Sequence, residues 1–237
     1  MDLRFRPYPG VTVAAVIATA ILVGLGVWQL QRLQWKLALI AEVSGHMAAP
    51  PVSLDGVLKL GADEAQYRRV GLAGRFDNAK EAYVFTTGAD GTPVYHVLTP
   101  FLTDDGRTLL VDRGYVPKMK LDPATRTPVE GKTRLVGVWR VPDVPGAFTP
   151  APDPAHRIWY ARDLPGIAAA DHVRLAAPSL IEADATPNPG GWPKGGQTVV
   201  SFRNEHLSYA VTWFGLAAGL IGVYLAYHIS KGRLRWD

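Results

Sequence analysis

The chain contains no cysteine, which removes disulfide frameworks, Cys-ligated zinc, iron–sulfur clusters and thiol catalysis from consideration. Charge is scarce as well. Only 19% of the 237 residues are Asp, Glu, Lys or Arg, less than the quarter usual in globular chains, and such a deficit points to segments that avoid water. There is no nucleophile elbow, P-loop, HExxH or dinucleotide fingerprint, and no internal repeat or low-complexity tract. The six histidines, at positions 46, 96, 156, 172, 206 and 228, include no pair at metal-ligand spacing. The net charge of +4 comes from scattered Lys and Arg and forms no basic face suited to nucleic acid. With 48% hydrophobic residues the chain is neither disordered nor collagen-like, and its length suits one domain, or at most two.

What the chain does have is two long runs without charge. Residues 7–31 form a stretch of 25, with the core VTVAAVIATAILVGLGVW at 11–28. Residues 207–230 form a second stretch of 24, LSYAVTWFGLAAGLIGVYLAYHIS. A helix needs about 20 apolar residues to cross the hydrocarbon layer, so both read as membrane spans. The first is too long for a signal-peptide core, and Trp28-Gln29 stand where a small-residue cleavage site belongs. Its helical pattern continues through Leu30, Leu33, Leu37 and Ile40, which predicts an extension out of the membrane, with Trp28 and Trp35 at the interface. Pro50 and Pro51 should end it. A buried core helix is the competing reading of the second span. Its length and the basic residues that follow oppose that.

The short tails carry Arg4, Arg6, Lys231, Arg233 and Arg235 against Asp2 and Asp237. Short basic flanks stay in the cytoplasm, whereas long loops cross largely regardless of charge. Both termini are therefore expected in the cytoplasm, with the main domain in a periplasm or its organellar equivalent. No long Arg- and Ser-rich transit segment precedes the first span, which favours a multi-pass protein of a bacterial inner (plasma) membrane. The expected layout is a tail at 1–10, a helix and its extension at 11–45, an extracytoplasmic domain at 46–203, a second helix at 204–229 and a tail at 230–237.

The segment between the spans alternates in short apolar runs and turn signals. Strands are predicted at 67–76, 81–87, 93–102, 108–116 and 133–141, with later candidates at 178–182 and 198–202. One short helix is expected near 167–172. Adjacent antiparallel strands joined by short turns suggest a curled sheet or small barrel. The fold class is thus a membrane protein in which two transmembrane α-helices flank a mainly antiparallel β domain. The Pro-rich stretch 142–154 and the Pro/Gly-rich stretch 186–196 read as loops, the second as a plain linker or a hinge before the membrane.

The chemistry concentrates at the start of the second span, RNEHLSYAVTW at 203–213. Asn204 is a candidate N-cap. Helical spacing places His206, Tyr209, Ala210 and Trp213 on one stripe. An imidazole at the water–lipid boundary with aromatics below it could ligate a haem iron, and Arg203 above it could pair with propionates. Interfacial anchoring is the other reading of His206 and Tyr209, and His228 at the far end reads as an anchor. Asp104-Asp105 belongs to a solvated turn, while His96 and Arg113 read as satisfied surface groups within strands. Gly215 and Gly219 make a GxxxG pattern, followed by Gly222, and the first span offers Ala14, Ala18, Gly24 and Gly26. Such small residues suit close packing of the two spans on each other or on a partner's helix.

Five motifs occur in order: GVWQLQR at 26–32, YRRVGLAGRFD at 67–77, HVLTPF at 96–101, LLVDRGYVP at 109–117 and NEHLSYAVTWF at 204–214. Together, over nearly the whole chain, they resemble the Surfeit locus protein 1 family. The resemblance implies a non-enzymatic factor that assembles haem–copper terminal oxidases, chiefly cytochrome c oxidase. Its implied cofactor is haem a, bound and delivered to, or stabilised in, the largest oxidase subunit. The implied partners are that subunit, haem a synthase and membrane lipid, with no nucleic acid. The family's histidine of the second helix matches His206, as ligand of the haem iron. Trp28, Gln29 and Arg32 match its other marked motif and should face the same outer boundary. Arg113 and Gly114 match a pattern that serves the fold. The stretches 142–154 and 186–196 match no family motif. A scaffold that clasps an oxidase subunit and binds no haem is the alternative function.

Overall fold

The structure, a computed structural model, describes residues 3–88, 90–142, 145–198 and 204–236. It divides into two compact units: Met1–Glu42 with Ser201–Asp237, and Val43–Val200.

The first unit is a helix pair. Helix α1 (Pro9–Ala48) runs for 40 residues, about 60 Å at 1.5 Å per residue, and stops before Pro50 and Pro51 as expected. Both spans are long and apolar enough to cross a membrane. Their apolar side chains are bare, which argues against a buried core helix. In α1, Val13, Val16, Ile17 and Ile21 are exposed, and so are Val211, Val223 and Ile229 of the later span. In water that belt would be unfavourable by about 25 cal/mol per Å², whereas in lipid it is the expected surface. The tails are not loose. Strand β1 (Leu3–Phe5) pairs antiparallel with the last strand of the chain (Leu234–Trp236).

The second unit is built on a barrel. A bridge strand β2 (Val52–Ser53) and two short helices, α2 (Leu54–Leu58) and α3 (Ala62–Ala65), come first; none of these was predicted. Then follow β3 (Arg69–Phe76), β4 (Ala82–Thr87), β5 (Pro93–Thr103), β6 (Thr108–Pro117) and β7 (Thr133–Arg140), all close to their predicted bounds. After them come β8 (Ile158–Trp159), α4 (Leu164–Asp171) and β9 (Leu175–Ala183). Helix α4 begins earlier than expected, because Asp163 caps it by accepting the Gly166 N–H at 3.0 Å. Strands β3, β7, β9, β6 and β5 pair in that order, and β5 pairs again with β3, closing a five-stranded barrel. Most pairings are antiparallel, but β6–β9 is parallel. The chain between β7 and β9 crosses over through β8 and α4, and parallel neighbours need such a crossover.

Alternation fills the barrel. Val70 and Leu72 of β3, Phe101 of β5, Leu109 and Val111 of β6, Trp139 of β7 and Ile181 of β9 form one buried cluster, to which α2 and α3 add Leu54, Val57 and Ala65. The opposite faces of β4, β5, β6 and β9 carry a second cluster, Val84, Leu98, Leu110 and Leu180, covered by Trp159 and by Leu164 and Ile167 of α4.

The stretch 186–196 is not a plain linker. Lys194 bridges Tyr115 through two backbone bonds of 3.0 and 3.2 Å, and the Trp192 ring meets the Tyr115 ring edge-on. Gly196 N–H donates to Ala183 at 3.0 Å. The segment is sewn to the barrel by long-range pairing that local composition does not encode. Of the strand expected at 198–202, Thr198 lies outside any strand, and 199–202 lie outside the described residues. Within 142–154, residues 143–144 also lie outside them; the rest is loop, as expected.

Candidate functional site at the end of the helix pair

The last helix, α5 (His206–Ser230), starts one residue later than an Asn204 cap would give. Glu205 occupies the N-cap position and makes no side-chain cap bond. Asn204 Oδ1 is buried without a hydrogen-bond partner among the described residues. The expected cap at Asn204 is therefore corrected: the backbone turns helical beyond the reach of its side chain.

Ala210 and Ala217 of α5 are buried, while His206 and Trp213 on the same stripe are half-buried. These are positions i, i+4, i+7 and i+11, the face that α5 turns to α1. On α1, Gly26 and Gln29 are buried. A Cβ at Gly26 would stand 2.7 Å from the Phe214 ring, so glycine at this position lets that ring lie against the α1 backbone. The small residues at the contact are thus Gly26, Ala210 and Ala217. Gly24, Gly215, Gly219 and Gly222 have no neighbour within 4 Å of a Cβ position, so the GxxxG face points away from α1 among the described residues.

His206 and Gln29 meet directly. The His206 Nδ1 lies 2.7 Å from Gln29 Oε1. An amide oxygen only accepts, so the Nδ1–H donates to it and the ring is held with Nε2 on the opposite edge. No partner for Nε2 occurs among the described residues. A second group that fixes the tautomer and orientation of a histidine is the usual companion of a metal-bound imidazole. The structure thus places Gln29 beside His206, although 177 residues separate them.

The other candidates are arranged less tightly. Tyr209 and Trp28 are each about half exposed. Trp213 lies on that stripe two turns further in. Arg32 is turned onto Trp35, its guanidinium carbon 4.5 Å from the ring centroid. Arg203 lies outside the described residues. What the described residues offer a haem iron is one imidazole oriented by an amide, with half-exposed aromatic side chains at Tyr209 and Trp28.

His228 provides the contrast. It is fully buried, its Nδ1–H donates to Tyr224 O at 2.9 Å, and its Nε2 accepts the Tyr8 N–H at 3.3 Å. Rings of Phe5, Tyr8, Tyr224 and Tyr227 surround it. With both nitrogens used, it ties α5 to the start of α1 and is no ligand.

In the β domain, Arg113 is an internal post. It is buried, donates to Glu81 Oε1 and Asn78 Oδ1 at 3.1 Å each, and lies over the Phe76 ring at 4.6 Å. Arg126 donates to Glu81 Oε2 at 2.5 Å. Sequence pattern read Arg113 as a surface group, and the structure corrects this. Alternation sets Arg113 on the face of Leu109 and Val111, where Glu81 neutralises it. Asp104 pairs with Lys132 at 3.0 Å and Asp105 with Arg107, both in an exposed turn. Among the described residues no group of three or more His, Asp or Glu side chains could hold a metal ion.

The sequence matches the SURF1 family over residues 16–218. It is 37% identical to Surfeit locus protein 1 of Takifugu rubripes over 226 residues, covering 88% of this chain and 92% of that one. It is 38% identical to Surfeit locus protein 1 of Homo sapiens, covering 82% of this chain and 70% of that one. A SURF1-like protein of Rickettsia bellii is 30% identical, with 91% and 89% covered. Paired membrane-length helices, a closed β domain and matches of this extent agree on one conclusion: the chain belongs to the SURF1 family.

Proposed function

We propose that this protein is an assembly factor for a haem–copper terminal oxidase, cytochrome c oxidase. In this reading it performs no turnover chemistry. It holds haem a at the outer membrane boundary and delivers it to, or stabilises it in, the largest oxidase subunit. The observation that supports the reading is the His206–Gln29 pair: a buried amide fixes one ring nitrogen at 2.7 Å, and the other has no partner among the described residues. Haem, when bound, supplies a redox-active iron and two carboxylates. His206 would offer Nε2 to the iron, and Gln29 would hold the ring against rotation. Trp28, Tyr209 and Trp213 would present apolar faces, while Arg32 and Arg203 would offer cations to the carboxylates. A single axial histidine suits a carrier, since a recipient with its own histidines can outcompete it. This reading places both termini in the cytoplasm of a bacterium and the β domain in its periplasm, with haem a synthase as the source.

Purified protein from haem-a-producing cells is expected to show a Soret band. The band should weaken in His206→Ala and, less severely, in Gln29→Leu. An unchanged spectrum and haem content in His206→Ala would reject the histidine as ligand. One observation favours a scaffold without haem: the bare face of Gly215, Gly219 and Gly222 suits close approach of a partner's helix. The two readings separate if Gly219→Leu blocks oxidase assembly while His206→Ala leaves it intact.

A further inference from the structure

The end of the helix pair opposite His206 carries features that the proposed function does not use. Between α1 and α5 runs an apolar groove of about 470 Å³. Val11, Ala14 and Ala18 line one side, and Leu220, Val223 and Tyr227 the other. Each side covers about 10 Å at 1.5 Å per residue, which fits within one leaflet of a bilayer whose hydrocarbon core is about 30 Å thick. Val11 and Val223 are 44% and 68% exposed, so the groove is open sideways to the lipid. No charged residue occurs at 7–31 or 207–230. Tyr224 also lines the groove, and its hydroxyl is engaged by Thr12 Oγ1 at 2.7 Å.

Where the groove ends, cations begin. Lys231 Nζ lies 6.0 Å from the centroid of the Tyr227 ring. The Arg233 guanidinium carbon lies 4.6 Å over the Tyr8 ring, and the Tyr8 and Tyr227 ring centroids are 6.0 Å apart. A guanidinium stacked on a ring keeps its N–H donors in its own plane, so the stack orients Arg233 without consuming its donors. The backbone is held as well. Arg233 N–H donates to His228 O and Arg6 N–H to Arg233 O, both at 2.8 Å, and β1 pairs with the last strand. The two tails hold five basic residues, Arg4, Arg6, Lys231, Arg233 and Arg235, against Asp2 and Asp237. The stretches 3–41 and 206–236 contain no Asp or Glu. Whatever the other arginines contact, this end carries an excess of positive charge.

A partner's helix would fill such a groove with side chains and bring no fixed charge to its end. A phospholipid brings a phosphate and an acyl chain joined in the order that the cations and the groove present. We propose that the groove and its two cations form a binding site for one anionic phospholipid. Its phosphate meets Lys231 and Arg233, and one acyl chain lies between Ala14 and Ala18 on one side and Leu220 and Val223 on the other. Tyr8 and Tyr227 stand where headgroup and chain join, a level that suits amphipathic rings. The site lies at the far end of the helix pair from His206 and does not depend on haem.

Dioleoylphosphatidylglycerol is the probe. Dioleoylphosphatidylcholine, with the same chains and no net charge, is the comparison. The full chain, delipidated in detergent and titrated with each, should saturate at one phosphatidylglycerol in native mass spectrometry. Its affinity should exceed that for phosphatidylcholine by about thirtyfold, the scale of two basic side chains at a lipid surface. Glycerol 3-phosphate, which has the charge without the chain, should not compete. Lys231→Gln combined with Arg233→Gln should abolish the preference. Ala14 is exposed, and Ala14→Phe should fill the groove and weaken both lipids by about tenfold or more at unchanged helical content. Should the double variant fail to fold, a phosphatidylglycerol with a diazirine on its chain should label groove residues in the unaltered protein. Unsaturable binding (a lipid annulus only), equal affinity for phosphatidylcholine, competition by glycerol 3-phosphate, unchanged affinity in Ala14→Phe, or labelling away from the groove would each overturn the proposal. The chain has no cysteine, so Val223→Cys reports another occupant. Copies that cross-link through it in phosphatidylcholine vesicles, to an extent that added phosphatidylglycerol does not reduce, would assign the groove to a second copy and overturn the proposal.

Discussion

Replacing Gly114 by alanine should damage the β domain far more than a glycine substitution in a turn. Gly114 sits in β6 at φ +102, a conformation that side-chain-bearing residues rarely adopt, worth about 1–3 kcal/mol of strain. A Cβ there would also fall inside the contact distance of the Lys194 carbonyl and stand 2.6 Å from the Gly195 nitrogen. Both are backbone atoms and cannot swing away. The Lys194–Tyr115 bridge must open, with its two backbone bonds worth about 0.5–1.5 kcal/mol each. The sum is about 2–6 kcal/mol. Gly106 is the control: its φ is +87, but nothing lies within 4 Å of its Cβ position, so Gly106→Ala carries strain alone. In a unit of this size about 1 kcal/mol moves the melting temperature by roughly 2–4 °C. The bridge alone should therefore separate the two variants by roughly 2–12 °C in thermal unfolding followed by circular dichroism. If Gly114→Ala melts with Gly106→Ala, the close approach of 194–195 to β6 does not exist in solution, and the segment 186–196 is a linker after all.

Two further outcomes follow from the buried charges. Glu81→Gln strips the carboxylate from Arg113 and Arg126, whose side chains are each 3% exposed; about 3–5 kcal/mol of stability should be lost, read from denaturant midpoints, and a loss under about 1 kcal/mol would contradict the buried network. For Asp112, burial pushes the carboxyl pKa up, but His96, Arg162 and the Gly114 N–H more than offset this and hold it below the usual carboxylate range. A folded value below the unfolded value of about 3.9 means that the stabilisation is fully present above about pH 4 and is lost as pH falls through the folded value. Acid unfolding of the native protein should therefore lie at lower pH than that of Asp112→Asn, with both curves flat between about pH 5 and 7 in this respect; coincident acid transitions would refute the assignment.

What the residues determined by themselves is the local grammar. Two charge-free runs became α1 and α5, because in lipid a backbone must satisfy its own hydrogen bonds and a helix does so within one segment. Alternation in β3 to β7 set which side chains face inward, since strand side chains flip sides with period two. Turn residues placed most strand ends within a residue or two. Of the stripe His206, Tyr209, Ala210 and Trp213, helix periodicity put His206, Ala210 and Trp213 on the packed side, while Tyr209 at its margin stays exposed.

Tertiary structure decided everything that needed two distant segments at once. Closure of β3 on β5, the parallel pairing of β6 with β9 and the sewing of 186–196 to Tyr115 are matters of register between strands, and no local window contains register. His96 read as a surface group, and only the bulge between the pairs His96–Tyr115 and Leu98–Asp112 of β5 and β6 brings its imidazole 2.8 Å from Asp112. Arg113 likewise read as a surface cation, because the carboxylate that permits its burial, Glu81, lies 32 positions away. At the helix pair, the sequence offered glycines on both sides of α5. Packing against α1 selected Ala210 and Ala217 and left Gly215 and Gly219 bare, because Phe214 against Gly26 sets the rotation of one helix on the other.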